Sequence, residues 1–320
     1  MNRAIKRGST APGGFMTDGR FTIGFIGLGN MGRPMTTRLA GAGHRLLLLD
    51  LDRALTEALA TELGQQAAGS LAALGAGCDV VITMLPDGRT VQRVLLGEGG
   101  DGVGAVAGSL KKGATVIDMS SSSPVGTREL GERLAKMDIR FIDAPVSGGV
   151  RRAVDGTLAI MVGGDPAAIE AMRPVFAPMG KPLVAGGLGA GHAIKALNNY
   201  VSAAGLLAAC EAVRAASRFG LDPATVVDII NASTGVNNST LVKMKPFVLS
   251  GTYADGFGLA LMAKDLRTAL EVAEATGMQT ALAETVVRVW NDAEQKLDAA
   301  KDTSVHHTAI DRYLGLLEAD

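Results

Sequence analysis

The sequence predicts an α/β protein: a doubly wound, largely parallel sheet first, then one long helix, then an all-α C-terminal part. Three observations carry this expectation. Short apolar runs alternate with helical stretches through roughly the first half of the chain, the pattern of βαβ units. A glycine-rich turn joins the first apolar run to the first helical stretch. Beyond it, from about residue 190, the patterning is helical throughout.

The first unit is the most informative. Residues 21–26 are a short apolar run that breaks at Gly27-Leu28-Gly29-Asn30-Met31-Gly32. A helix is expected over 33–42 and a second strand over 45–49, ending at Asp50. Strand, glycine turn, helix, strand and acid within about thirty residues make one βαβ unit of the Rossmann type. Gly27 permits a tight turn, Gly29 lets backbone approach a pyrophosphate, and Gly32 lets helix and strand pack closely. The helix start offers unpaired N–H groups and a positive dipole end to phosphates. Asp50, at the end of the second strand, suits the adenosine 2′-hydroxyl and repels a 2′-phosphate, so NAD is expected rather than NADP. Arg53 is the countersignal, or else a solvated residue in the first turn of the next helix.

Further strands are expected at 80–86, stopped by proline, at 115–119 before the run Ser120-Ser121-Ser122-Ser123, at 139–142 before Asp143-Ala144-Pro145-Val146-Ser147-Gly148-Gly149, and at 158–162. Asp165 is an expected N-cap, with Pro166 at the first helical position. Residues 191–219 are rich in Ala, Leu and Val and contain no proline, so one helix, apolar and buried on nearly all sides, is expected there. Gly220 should stop it and Asp222-Pro223 restart helix. Helices over 259–277 and 280–297 complete an all-α end. The domain boundaries expected are a disordered leader at 1–20, a Rossmann domain at 21–187, an interdomain helix at 188–220 and a helical domain at 221–320.

Bulk properties narrow the function. The chain has 320 residues, 47% hydrophobic and 20% charged, with a formal net charge of −1. That balance gives no electrostatic case for nucleic acid. No window approaches the roughly 18 apolar residues of a membrane span. Cys78 and Cys210 read as buried, reduced thiols, which suits the cytoplasm. The leader carries Arg3, Lys6 and Arg7 but lacks the apolar stretch of a secretory signal. His306-His307 has no partnering cluster at metal spacing, and no metal is expected.

The last motif is Gly189-Ala190-Gly191-His192-Ala193-Ile194-Lys195-Ala196-Leu197-Asn198-Asn199. A lysine in an apolar helix, in a chain with a dinucleotide site, suggests proton transfer coupled to hydride transfer. Burial that lowers its pKa would let it act as base and as cation for a developing alkoxide. His192 shares its helix face and reads as a polar residue near a helix start.

With these pieces placed, the chain resembles the β-hydroxyacid dehydrogenases over residues 21 to 315. Four motifs carry the resemblance: residues 24–32, residues 143–149 continuing to Gly156-Thr157-Leu158, residues 189–199, and Lys264-Asp265-Leu266. The resemblance implies Lys195 as catalytic acid/base and Asn199 as the residue orienting substrate. It implies that Ser147, Gly148 and Gly149 hold a substrate carboxylate, with Ser121 near both substrate and nicotinamide. Met84, Leu85 and Pro86 would border the cofactor together with the loop Gly27 to Gly32. Phe257, Lys264 and Asp265 would close the site from the second domain, with Asn198 in support.

The expected activity is reversible NAD-dependent oxidation of a small 3-hydroxy carboxylate to its semialdehyde by a homodimer or homotetramer. The alternatives are reduction of tartronate semialdehyde, or oxidation of serine, threonate or a sulfonated analogue, with NADP. The non-enzyme alternative is an inactive NAD-binding scaffold, in which the lysine is usually lost. Arg151 and Arg152 are candidates to read a second anionic group, or else solvated residues at a helix start.

Overall fold

The computed structural model describes residues 20–97 and 104–318. All but Arg20 of the expected leader therefore lies outside the described residues.

Among those residues nine strands form one sheet: β1 (Thr22–Ile26), β2 (Arg45–Leu49), β3 (Gln66–Ala67), β4 (Val80–Thr83), β5 (Thr115–Asp118), β6 (Arg140–Asp143), β7 (Val146–Ser147), β8 (Leu158–Gly163) and β9 (Gly180–Gly186). Their spatial order is β3-β2-β1-β4-β5-β6-β8-β7, with β9 on the other side of β8. From β3 to β6 every pairing is parallel. Parallel strands covered by helices on both faces bury every side chain, and all residues of β4 and β5 are buried. The sheet therefore reads as continuous Val and Ile runs.

The chain winds outward from β1 to β3, then returns to place β4 on the other side of β1. The carboxyl ends of β1 and β4 thus flank a topological switch point, where open α/β sheets bind ligands.

Helices α1 (Gly32–Gly41), α2 (Arg53–Leu63), α3 (Leu71–Gly77), α4 (Gly88–Leu96) and α5 (Pro124–Lys136) connect these strands. Side-chain caps set several starts: Asp52, Ser70, Asp87 and Ser123 each accept a backbone N–H from the first turn of the helix that follows. Beyond β6 lie α6 (Gly149–Asp155), α7 (Pro166–Ala171) and α8 (Arg173–Phe176). Asp165 caps α7 as expected, with Pro166 in its first turn.

The far side of the sheet is more intricate than the sequence indicates. The segment 143–149, expected as a polar turn, contains β7, which runs antiparallel to β8 with Ser147 opposite Ala159. Neither β3 nor β9 is legible as an apolar run. The strand expected over 80–86 ends at Thr83, three residues before the proline.

The long helix α9 (Ala190–Arg218) has 29 residues. The expectation that it is buried all round is corrected: Lys195, Ala196, Asn199, Ala203, Leu206, Leu207, Cys210 and Val213 are buried, while Ile194 is 44% and Val201 68% exposed. An alanine-rich helix carries little hydrophobic period, so its buried side is chosen by what packs on it. Here that is the C-terminal set α10 (Pro223–Asn231), α11 (Asn238–Val242), α12 (Leu259–Ala275), α13 (Ala281–Lys296) and α14 (Ile310–Leu317). Asp222 caps α10 and Gly220 has a φ of +95°, so stop and restart fall where expected. Trp290 is fully buried in this second core.

Candidate active site

The glycine loop follows β1 at the switch point. Gly27 adopts a φ of +98°, and a Cβ there would collide with the carbonyl oxygen of Met84 at the end of β4. A Cβ on Gly32 would collide with the carbonyl of Gly27. These two glycines are fixed by the protein's own packing. Gly29 differs, because a Cβ there would meet nothing within 4 Å. Among the described residues the N–H groups of Gly29, Asn30 and Met31 donate no hydrogen bond within the chain, so the loop presents donors and free space at a helix start. That is the arrangement a pyrophosphate needs, and a dinucleotide fits it.

Asp50 sits at the end of β2 with one carboxylate oxygen on the Leu28 N–H (2.7 Å) and the other on the Asp52 N–H (3.0 Å). It is thereby held against the loop. Arg53 turns its guanidinium to the Gly69 carbonyl (2.8 Å).

Lys195 lies in the second turn of α9 and is only 8% exposed. Burial pushes its pKa below the ordinary lysine range; Asp265 opposes that shift and Lys264 adds to it. Among the described residues its ammonium makes no hydrogen bond and no ion pair within 4.0 Å. Asn199, one turn on, donates from Nδ2 to the Asp265 carboxylate (2.6 Å), and Asn198 donates to Asn199 Oδ1 (3.2 Å). Asp265 is buried on α12, so this contact ties the Lys195 face of α9 to α12.

Lys264, next to Asp265, reaches back to the sheet. Its ammonium donates to the carbonyls of Pro86 (2.9 Å) and Ser121 (2.7 Å), the turns after β4 and β5. A hydrogen bond from the Leu85 N–H to Ser120 Oγ (2.9 Å) joins the same two turns. Ser123 adds a second link to α12 by donating to Glu271 (2.7 Å). The four serines, readable as a flexible loop, are each held at a defined place.

His192 does more than begin a helix. It is buried, with its ring hydrogen-bonded to Thr127 Oγ1 (2.7 Å) and the Ser120 carbonyl (3.0 Å). Asp118 and Asp143 lie on either side, 3.7 and 3.8 Å from its ring nitrogens. Asp143 accepts the N–H groups of Gly189 and His192, both at 2.7 Å, and so holds the start of α9. Burial pushes the Asp143 carboxyl up, against the opposing pull of His192 and those amides. Asp118 gathers Thr83, Ser122 and the Ser120 N–H. This network fixes the serine turn and the first turn of α9 relative to each other. Asp118 and Thr127 were not sequence candidates, and Asp143 was marked only as the first residue of a motif, without a role; parallel register places Asp118 beside Asp143.

The remaining candidates are placed less directly. Ser147 is partly buried on β7; Gly148 and Gly149 follow with φ of +131° and +66°, and Gly149 faces open space. Strand β8 links this edge to α9, since a Cβ on Gly191 would collide with the Met161 carbonyl. Arg151 and Arg152 are exposed. Phe257 packs edge-on against His307 in the helical part, at a centroid distance of 5.6 Å. Cys78 and Cys210 are buried free thiols, and burial pushes both pKa values up. Among the described residues no group of three His, Cys, Asp or Glu is arranged to hold a metal, and no helix is long and apolar enough to cross a membrane. A surface hollow of about 560 Å³ near Thr157, Arg173 and Lys181 contains none of the groups just described.

This geometry has counterparts. Residues 22–217 match the family described as the NAD binding domain of 6-phosphogluconate dehydrogenase, and 189–310 match that described as NAD-binding of NADP-dependent 3-hydroxyisobutyrate dehydrogenase. The chain is 38% identical to a 2-(hydroxymethyl)glutarate dehydrogenase of Eubacterium barkeri, over 78% of this chain and 81% of that protein. It is 34% identical to a 2-hydroxy-3-oxopropionate reductase of Escherichia coli, over 92% and 97%. The solved 3-hydroxyisobutyrate dehydrogenase of Mycobacterium tuberculosis with L-serine superposes with a TM-score of 0.81 at 33% identity, covering 92% of this chain and 99% of that one.

Proposed function

The chain belongs to the β-hydroxyacid dehydrogenase family, nicotinamide-dependent oxidoreductases acting on CH–OH groups, and from that premise we propose reversible NAD-linked oxidation of a small 3-hydroxy carboxylate to its semialdehyde. The observation that carries the reading is Lys195: a buried amine, unpaired among the described residues, on the α9 face tied to α12, whose Lys264 bonds the switch-point turns. The nicotinamide, when bound, accepts or returns the hydride.

Lys195 removes the hydroxyl proton as the C–H bond is broken and C=O forms; in the reverse direction its ammonium returns that proton to the carbonyl oxygen. Asn199, fixed by Asp265, orients the hydroxyl or the carboxylate. Ser147, Gly148 and Gly149, with Ser121, hold the carboxylate through donors without bulk. The glycine loop holds the pyrophosphate, Asp50 the adenosine ribose, and the turns 84–86 and 120–123 the nicotinamide half, closed by Lys264. The engagement of Arg53 with Gly69 supports NAD over NADP.

In this reading 21–187 is the cofactor domain, 188–220 the interdomain helix and 221–320 the helical domain. The exposed apolar side of α9 supports assembly into a homodimer or homotetramer.

Near-ultraviolet absorbance of the reduced cofactor tests the proposal. NAD or NADP is offered with 3-hydroxyisobutyrate, serine, glycerate and 2-(hydroxymethyl)glutarate. Lys195→Met should lower kcat by about 10²–10⁴ on whichever acid is turned over, with cofactor affinity little changed. A loss below about fivefold would remove Lys195 from the chemistry.

A further inference from the structure

Lys243 follows the last residue of α11, half-buried, and its ammonium donates to His307 Nε2 at 2.8 Å, with a longer contact to Ser202 Oγ at 3.5 Å. An ammonium carries three hydrogens, so a third remains for a ligand. Asp255, the nearest opposite charge, is engaged one ring away: its carboxylate takes the Nδ1–H of His307 at 2.8 Å and the Thr308 hydroxyl at 3.3 Å. With that proton on Nδ1, Nε2 keeps the lone pair that accepts from Lys243. His307 itself cannot move, stacked on Trp290 and edge-on to Phe257. Asp255 and His307 thus form a rigid mount for one cation.

Two further facts give this cation a direction. Ser202 lies seven residues after Lys195 on α9, two turns along the same face and about 10 Å away by helix rise. Ser239 precedes Lys243 by one turn, as the Lys243 N–H to Ser239 carbonyl bond (2.9 Å) shows, and its buried hydroxyl has no partner among the described residues. A cation therefore stands against the far end of the α9 face that begins at Lys195, one turn after a spare hydroxyl on its own helix.

We infer that Lys243, mounted on the Asp255–His307 pair, binds a second carboxylate on the substrate, so that the preferred substrate is a 3-hydroxy dicarboxylate. The inference rests on the dehydrogenase reading, with Lys195 at the hydroxyl. The reach is suitable: a hydroxyl and a distal carboxylate about 6 Å apart, as in a five-carbon diacid, with a hydrogen bond of about 3 Å at each end, span about 12 Å, comparable with the roughly 10 Å of helix rise from Lys195 to Ser202. Burial pushes the Lys243 pKa down, and Asp255 only partly restores it; an anion at its free hydrogen would complete the compensation. Arg151 and Arg152, the cations marked by the sequence for this task, are exposed.

The test compares kcat/KM for 2-(hydroxymethyl)glutarate and 3-hydroxyisobutyrate in the NAD-loaded wild type, Lys243→Met and Lys243→Gln, with melting curves to confirm folding. The wild type should prefer the diacid, and both variants should lower the diacid-to-monoacid ratio by about 30-fold, mostly through KM. Calorimetric binding of glutarate to the NAD complex should weaken at least about tenfold in the same variants. Turnover of 3-hydroxyisobutyrate with an unchanged ratio overturns the role of Lys243 and leaves the dehydrogenase reading standing. Equal losses on both acids make Lys243 a structural residue and also overturn it. No turnover of any 3-hydroxy acid by folded, NAD-bound wild type overturns the dehydrogenase reading, and the inference with it.

Discussion

In the proposed mechanism Lys195 sets catalysis against stability. A buried ammonium without a hydrogen-bond partner costs free energy that the fold must offset elsewhere. Its folded pKa lies below that of an ordinary lysine, so the unfolded chain binds the proton more tightly. The sign follows: the penalty is full at pH below the folded pKa and disappears as pH rises toward the ordinary lysine value. Lys195→Met should therefore cut turnover by about 10²–10⁴ while stabilising the protein by on the order of 1 kcal/mol at neutral pH, with the gain shrinking in alkaline solution. Denaturant unfolding at two pH values measures this; a variant destabilised at neutral pH would mean that the amine makes favourable contacts. Kinetics should show the same group. Oxidation should rise with pH along a limb whose midpoint lies below that of an ordinary lysine, and reduction should fall along it. Lys195 was legible because its surroundings are local, an apolar helix start with two asparagines one turn on. His192 was not, because its partners Thr127, Asp118 and Asp143 come from separate elements and meet only once β5 and β6 are in register.

At the scale of an element, the glycine loop separates folding from binding. Gly27 and Gly32 are demanded by neighbouring carbonyls, so Gly27→Ala should destabilise the protein by about 2 kcal/mol or more, through a strained φ and displacement of Met84. Gly29 is demanded by nothing in the chain. Gly29→Ala should leave the melting temperature within about 1 °C of wild type and weaken cofactor binding at least about tenfold, read by fluorescence titration with NADH. Unchanged affinity would show that the pyrophosphate does not approach this glycine. The sequence predicts all three glycines equally from their spacing; only packing distinguishes them. Helix α9 makes the opposite point. Its length and its end were readable from the absence of proline over 191–219 and from Gly220, but which side is buried was not, since alanine fits either way. Strand β7 was hidden for a related reason: two residues are too few to show alternation, and Val146–Ser147 is held as a strand only by pairing with β8.

Across the whole molecule, α12 joins the helical part to the switch point. Lys264 bonds to the turns after β4 and β5, Ser123 bonds to Glu271, and Asn199 bonds to Asp265. In the proposed reading these contacts close across the place of nicotinamide and substrate, so release of either would require their opening. Lys264 is the most economical to test, because its two hydrogen-bond acceptors are backbone carbonyls, and the Asp265 carboxylate, 3.5 Å from its ammonium, keeps the Asn199 amide as a donor when the lysine is removed. Lys264→Met should raise amide exchange at residues 84–87 and 120–123 while leaving β1, β2 and the first turns of α9, which the Asp143 cap holds independently, as protected as before. Two bonds to charged donors are lost, each worth about 1.5–3 kcal/mol, which is enough to change local opening by more than tenfold. Exchange that rises evenly across both parts would mean that Lys264 supports global stability. Exchange that stays flat would mean that the turns are held by the Leu85–Ser120 bond and the His192 network alone, and that substrate enters without α12 moving.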